Sequence, residues 1–325
     1  MAKIPTVRGM IDSGQLGVTL MHEHICLGGP TYPVPEAMER QAMDYQVKLT
    51  EEAVAVGINT LVDLSPHPNV GAVVELNDRV GGMNLILSTG AYLEKLTPQT
   101  VKDLSEDAMV EHMIKDLTEG YDGFEDAGIR AGIIKVASSG PVLTEWEKKN
   151  FRAAARVQRQ LNVPIATHAC AGARAQMEVL REAGAEIGAT FYSHVEAEFG
   201  WEGRTREQEA RYLEDVTQAG GYLQFNNFDF EFDTPFDDLL YLIDTFERRG
   251  YGDRIFISID ANWTFDRQGR AWHEAEKEHP ETGKRTYAYA VTHAVPMLMG
   301  AGVSLQRISK YLVDNPRRFF EAFDA

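Results

Sequence analysis

The sequence predicts a single-domain (β/α)8 barrel, on three observations. Eight short, largely apolar runs recur along the 325 residues, amphipathic helical segments lie between them, and the runs are continuous rather than alternating. Continuous apolar runs suit parallel strands buried on both faces, whereas a sheet with one wet face would alternate. Eight such strands with intervening helices fit a closed barrel in a chain of this length. A doubly wound sheet is the other arrangement the pattern allows, because strand order is not written in one sequence. No repeat, low-complexity tract or linker divides the chain, so one domain over residues 1–325 is expected.

In chain order, the strand candidates are "GVTLMHEH" (17–24), "INTLVDLS" (58–65), "NLILSTGAY" (84–92) and "AGIIKVAS" (131–138). "VPIATHA" (163–169), "GATFYSH" (188–194), "GYLQFNN" (221–227) and "RIFISID" (254–260) complete the set. The helical segments carry their own signals. In "TEWEKKNFRAAARVQRQL", Thr144 and Glu147 have the spacing of a capping box. "TREQEARYLEDVTQAG" runs to Gly220, a good helix stop, and "PFDDLLYLIDTFERRGYG" repeats the arrangement before the last strand candidate.

Composition narrows the function classes. Hydrophobic residues make up 44% of the chain, enough for a large core. Against 32 basic residues stand 49 acidic ones, a net charge of −17 that repels phosphate backbones, so nucleic acid is not expected as a partner. No apolar run approaches the ~20 residues that span a bilayer. The start, "MAKIPTVRGMIDSGQ", lacks the apolar core of a signal peptide, and a cytoplasmic chain without membrane attachment is expected. The two cysteines, Cys26 and Cys170, exclude a disulfide scaffold and read as small core residues rather than ligands.

Burial alone does not explain the polar residues in these strands. The first candidate ends His22-Glu23-His24, the fourth carries Lys135, the fifth and sixth end near His168 and His194, and the eighth ends at Asp260. In a barrel, the C-terminal strand ends converge on one face, where active sites lie. Imidazole and carboxylate suit zinc and similar divalent ions. Four histidines and an aspartate exceed one tetrahedral site with a water position left open, so two ions are the natural reading, able to activate water and polarise a substrate oxygen. A lysine buried in "AGIIKVAS" is driven towards its neutral amine. That amine can add carbon dioxide to form a carbamate, whose two anionic oxygens suit bridging two cations. Each feature alone has a plainer explanation, an incidental His-x-His, a snorkelling lysine or a core histidine. Their joint occurrence at strand ends, in regular order, carries the argument.

With those residues in place, the chain resembles the phosphotriesterase-like branch of the amidohydrolase superfamily. "GVTLMHEHI" is similar to that family's opening strand, "GIIKVAS" to its carbamylated-lysine strand, and "ATHA", "YSH" and "RIFISID" to the remaining ligand strands. "VDNPRRFFEAF" is similar to its closing helix, so the likeness spans nearly the whole chain. The resemblance implies that His22, His24 and Asp260 hold the more buried ion, and His168 and His194 the more exposed one. It implies that a carbamate on Lys135 and a hydroxide bridge them, with Asp260 accepting the hydroxide proton. Zinc is the first choice, with cobalt, manganese or iron as alternatives. Tyr92 falls where such enzymes place an aromatic residue beside the metals, and relatives often form homodimers.

Two departures bear on the substrate. In organophosphate-degrading members an aspartate follows the sixth-strand histidine by three residues and works with a seventh-strand histidine. Here "HVEAEF" has Ala197 at that offset, with Glu196 before it, and "GYLQFNNFDFEF" has neither histidine nor arginine. That weakens a specialised phosphotriesterase and an acyl-homoserine lactonase alike. The segment after Asp260 brings Trp263, Phe265, Arg267, Arg270, Lys284 and Arg285, a candidate anion-binding lid or else a solvated loop. Tyr92, Glu196, Asn226, Trp263 and Arg267 are the expected substrate contacts. The reading is a binuclear metal-dependent hydrolase acting on a small molecule, a lactonase or carboxylic ester hydrolase with weak phosphotriesterase activity. Alternatives are an amidohydrolase for N-acyl amino compounds, with Glu196 as acid, a phosphotriesterase, or a metal-binding scaffold without turnover.

Overall fold

A computed structural model describes residues 2–169, 172–199, 203–228, 234–265, 269–273 and 285–322. Strands β1 (Lys3–Thr6) and β2 (Gly9–Asp12) form an antiparallel hairpin ahead of the main sheet. There follow β3 (Thr19–Glu23), β4 (Thr60–Asp63), β5 (Asn84–Ile86), β6 (Ser88–Gly90), β7 (Ile133–Ser138) and β8 (Ile165–Ala169). Then come β9 (Thr190–Ser193), β10 (Tyr222–Phe225) and β11 (Ile255–Ile257). A second hairpin, β12 (Trp263–Phe265) with β13 (Ala271–His273), leads off the last barrel strand.

All eight strand candidates are present, each shorter than the apolar run that announced it. The third is broken at Leu87 into β5 and β6, so strands β3 to β5 run parallel in one group and β6 to β11 in another. The first and last strands meet through Asp260 N–H donating to the His22 carbonyl at 3.2 Å and the His22 amide donating to Ser258 Oγ at 3.0 Å. Strand order therefore follows chain order around a (β/α)8 barrel. The doubly wound alternative would require a reversal of that order, which these strands do not show.

Helices alternate with the strands as the patterns predict. The helix Glu145–Leu161 opens with the Thr144–Glu147 capping box, and Arg206–Gln218 with a second box from Thr205 and Gln208. Among the described residues no helix is long and apolar enough to cross a membrane.

Two apolar layers result. The outer one packs strand side chains such as Leu61, Ile134, Val136 and Leu223 against the helices. The inner one takes residues from every barrel strand, among them Met21, Val62, Ile86, Ile133, Ala166, Phe191, Tyr222 and Phe256, and closes on Phe319 and Phe320 of the last helix. Rings stack there, with Tyr222 and Phe256 centroids 4.8 Å apart and Phe256 5.4 Å from Phe319. The N-terminal end of the barrel is thereby plugged, leaving the polar strand ends at the other.

Gly90 shows how tightly the wall beside Lys135 is drawn. Its φ is +114°, and a Cβ there would stand 2.1 Å from the Lys135 carbonyl oxygen, so no side chain fits.

Candidate metal centre

The mouth of the barrel brings together His22, His24, Lys135, His168, His194 and Asp260. His22, His24 and Asp260 form the tightest group, each offering one ligand atom within 4.8 Å of the others. Asp260 Oδ1 lies 2.9 Å from His24 Nε2 and 3.7 Å from His22 Nε2, and its Oδ2 lies 3.4 Å from His194 Nε2. Lys135 Nζ is 3.3 Å from His22 Nε2. The His168 ring sits 4.7 Å from that of His194, and Tyr92 adjoins it with its hydroxyl 3.4 Å from His168 Nε2.

Simple alternation does not deliver this arrangement. Leu20 belongs to the outer layer, Met21 to the inner one, and His22 also faces inward, because the β3–β4 register shifts between Leu20 and Glu23. His194 follows Ser193, which itself touches His22, and returns inward only through a left-handed backbone at φ +58°. Asp260 is left-handed too, at φ +55°. Such conformations cost about 1–3 kcal/mol for non-glycine residues and persist where the surrounding structure enforces them.

The imidazoles are aimed by partners behind them. His22 Nδ1 contacts Ser193 Oγ at 2.9 Å and Gln224 Oε1 at 3.2 Å, and His24 Nδ1 contacts Ser65 Oγ at 2.9 Å. The Asn226 carboxamide nitrogen lies 2.8 Å from His194 Nδ1. An ion held on Nε2 would leave the ring proton on Nδ1, facing this carboxamide, whose oxygen accepts from Gln224 Nε2. His194 Nε2 is buried and lacks a hydrogen-bond partner. Three imidazoles thus direct Nε2 atoms at one carboxylate, a donor set suited to divalent cations.

Electrostatics agree with that reading. Burial, reinforced by Lys135, holds His22 well below its ordinary pKa, and burial with His194 does the same for His168. Burial brings His194 down to about 4, so these rings are neutral and their lone pairs are available. Burial lowers Lys135 to about 7, although Asp260 and Asp63 pull the other way. Burial would raise Asp260, but His22, His24 and His194 outweigh it and keep the carboxyl well below its usual range.

Other predicted positions act from behind the mouth. Glu196 is fully buried, its Oε1 accepting the amides of Asn226 at 2.6 Å and Asn227 at 2.7 Å, so it shapes the end of β10. Asn226 is equally buried against His194. Trp263 packs inward with its indole N–H on Gln46, and Arg285 donates to the carbonyls of Asn226 and Ile259, bracing two strand ends rather than lining a lid. Arg267, Lys284 and Cys170 lie outside the described residues. Cys26 is a buried core thiol.

Sequence reasoning passed over Ser65, Ser193, Gln224 and Ser258, the groups that orient the ring nitrogens and close the seam. Their only signal was polarity inside apolar strands. Glu23 also gains a role: its carboxylate accepts from Ser258 Oγ at 2.7 Å and from the amides of Ile259 at 2.9 Å and Ala261 at 2.7 Å. It clasps the first strand to the last. Burial pushes it up to about 8 against the pull of those donors.

Fold and site together define a (β/α)8-barrel protein with histidines, a lysine and an aspartate converging at the C-terminal strand ends. The family model for the phosphotriesterase family matches residues 2–320, and the chain belongs to that family of hydrolases. A phosphotriesterase homology protein of Mycobacterium tuberculosis is 29% identical over 340 residues, covering 99% of this chain and 98% of that one. An N-acetyltaurine hydrolase of Xenopus tropicalis is 26% identical over 98% of this chain and 97% of its own. Among solved structures, a mutant of the Deinococcus radiodurans PTE-like lactonase superposes with a TM-score of 0.82 at 28% identity, covering 98% of this chain and 99% of that one.

Proposed function

We propose that this phosphotriesterase-family hydrolase opens the ring ester of a small lactone at a centre of two divalent ions, with phosphotriester hydrolysis as a weak side activity. The observation that carries the reading is the convergence of His22, His24, His194 and Asp260 with inward Nε2 atoms, beside His168 and a buried Lys135. His22, His24 and Asp260 would hold one ion, His168 and His194 the other. Divalent ions in such a site supply an acidified water and polarise the carbonyl under attack.

The chain's own groups do the rest. The Lys135 nitrogen, neutral above about pH 7 and 3.3 Å from His22 Nε2, would add to the carbon of carbon dioxide and release one proton, giving an anionic carbamate suited to holding cations. Asp260, between His24 and His194, would accept the proton of the attacking water. Tyr92 lines the wall beside His168.

A lactone is favoured because its opening needs only attack and carbonyl polarisation, and the leaving alkoxide remains tethered. Resemblance to a PTE-like lactonase supports it. Ala197 at the offset where phosphotriesterases carry their relay aspartate argues against a specialised phosphotriesterase. The N-acetyltaurine hydrolase relatives support a second reading, hydrolysis of an N-acyl amino compound. The test is a screen of zinc-loaded protein against lactones, N-acyl amino compounds and phosphotriesters. Lactones turning over fastest is the expected result. Preference for amides would install the second reading, and a metal-loaded protein inert to all three classes would overturn both.

A further inference from the structure

A buried chain of hydrogen bonds ties His24 to the hairpin outside the barrel. Tyr45 and Gln46 are neighbours on the helix Glu39–Ala55, and each grips one strand of β12–β13. Gln46 Oε1 accepts the Trp263 indole N–H at 2.9 Å, and the Tyr45 hydroxyl lies 2.9 Å from His273 Nε2. Trp263 and His273 face one another across the hairpin. On its other side, Gln46 Nε2 donates to the Tyr287 hydroxyl at 2.7 Å, and Tyr287 donates to the main-chain carbonyl of His24 at 2.6 Å. Gln46 Oε1 also accepts the Cys26 amide at 3.3 Å, while the Trp263 amide donates to Cys26 Sγ at 3.4 Å. One fully buried carboxamide thus holds the Cys26 amide directly, the His24 carbonyl through Tyr287, and the hairpin through Trp263.

We propose that Gln46 and Tyr287 are positioning residues that couple the order of the β12–β13 hairpin to ion binding at His24. The inference rests on the metal-centre reading above. Neither side chain reaches the ligand atoms. They act on the backbone that carries His24, in an interior where a broken partner leaves the remaining polar groups stranded. An ion that fixes His24 fixes its carbonyl, and through Tyr287 and Gln46 it restrains Trp263. By linkage, a hairpin held in place strengthens ion binding by the same factor. Because β12 begins three residues beyond Asp260, the hairpin and both ends of the tightest ligand group respond as one unit.

The test compares hydrogen exchange of peptides covering residues 263–265 and 271–273 with and without Zn2+, together with Zn2+ affinity by chelator competition. Wild type, Tyr287→Phe and Gln46→Met are measured, with circular dichroism checking each fold. Zn2+ is expected to slow hairpin exchange in the wild type. Each variant is expected to lose that slowing and to bind Zn2+ about 10-fold or more weakly, the range for partners that orient a metal ligand. Wild-type hairpin exchange indifferent to Zn2+, or variants that match the wild type in both readouts, would overturn the coupling alone. A wild type that binds no Zn2+ would overturn the metal centre, and the coupling with it.

Discussion

The two ends of the barrel interior are built from the same strands, a few residues apart. Towards the N-terminal end, Phe191, Tyr222 and Phe256 close on Phe319 in an apolar plug. Towards the C-terminal end, those three strands lead to Ser193, Gln224 and Ser258, all contacting His22, and the neighbouring strands add Lys135 and His168. The lower layer gains stability from each ring it buries. The upper layer is a load on the fold: a desolvated amine, neutralised imidazoles and left-handed backbone at His194 and Asp260. The proposed chemistry falls where stability is given up, and the plug beneath holds the strands that carry those residues.

The comparison breaks if either layer can be altered without its own consequence. Asp260→Asn bears hardest on chemistry, with an expected loss of about 10²–10⁴-fold in hydrolysis, the usual range for a general acid–base group. Steady-state rates that stay within a fewfold of wild type would remove Asp260 from the reaction. In the plug, Phe256→Ala should destabilise by about 3–5 kcal/mol in urea unfolding, with zinc content per folded chain unchanged. Metal loss in that variant would show that the two layers are not separable.

Lys135→Met tests the upper layer from the other direction. It keeps most of the volume and removes the buried amine, so zinc content should fall while the metal-free protein melts higher. Unchanged zinc content by elemental analysis would count against the carbamate.

The smallest effect is a pH dependence of the metal-free protein. Glu23 goes from its ordinary 4.5 up to about 8 in the fold, so the native state retains a proton that the unfolded chain releases. Its contribution is complete below pH 4.5 and is lost as pH rises towards 8. Lys135 acts oppositely: with its pKa lowered from 10.5 to about 7, its cost to stability is relieved as pH rises across that interval. Glu23→Gln should flatten the acid limb of a melting-temperature profile and leave the alkaline limb intact; an unaltered acid limb would rule Glu23 out as its source.

The residues themselves determined the strand count, the alternation with helices, the capping box at Thr144, and the kinds of side chain at the strand ends. These are local properties, set by burial period and by hydrogen bonding within a few residues. Proximity of His22 to Asp260, far apart in the chain, was legible only through the rule that barrel strand ends converge. Tertiary structure alone decided how the rings are aimed. Met21 and His22 both turn inward through a register shift, His194 through a left-handed residue, and Ser65, Ser193 and Gln224 arrive behind the rings from other strands and loops. Tertiary structure also moved Glu196, Asn226 and Trp263 behind the mouth, since their polar groups find buried backbone and side-chain partners there. A sequence lists which donors exist, but which of them meet, and at what angle, is set by neighbours that only the closed barrel brings into contact.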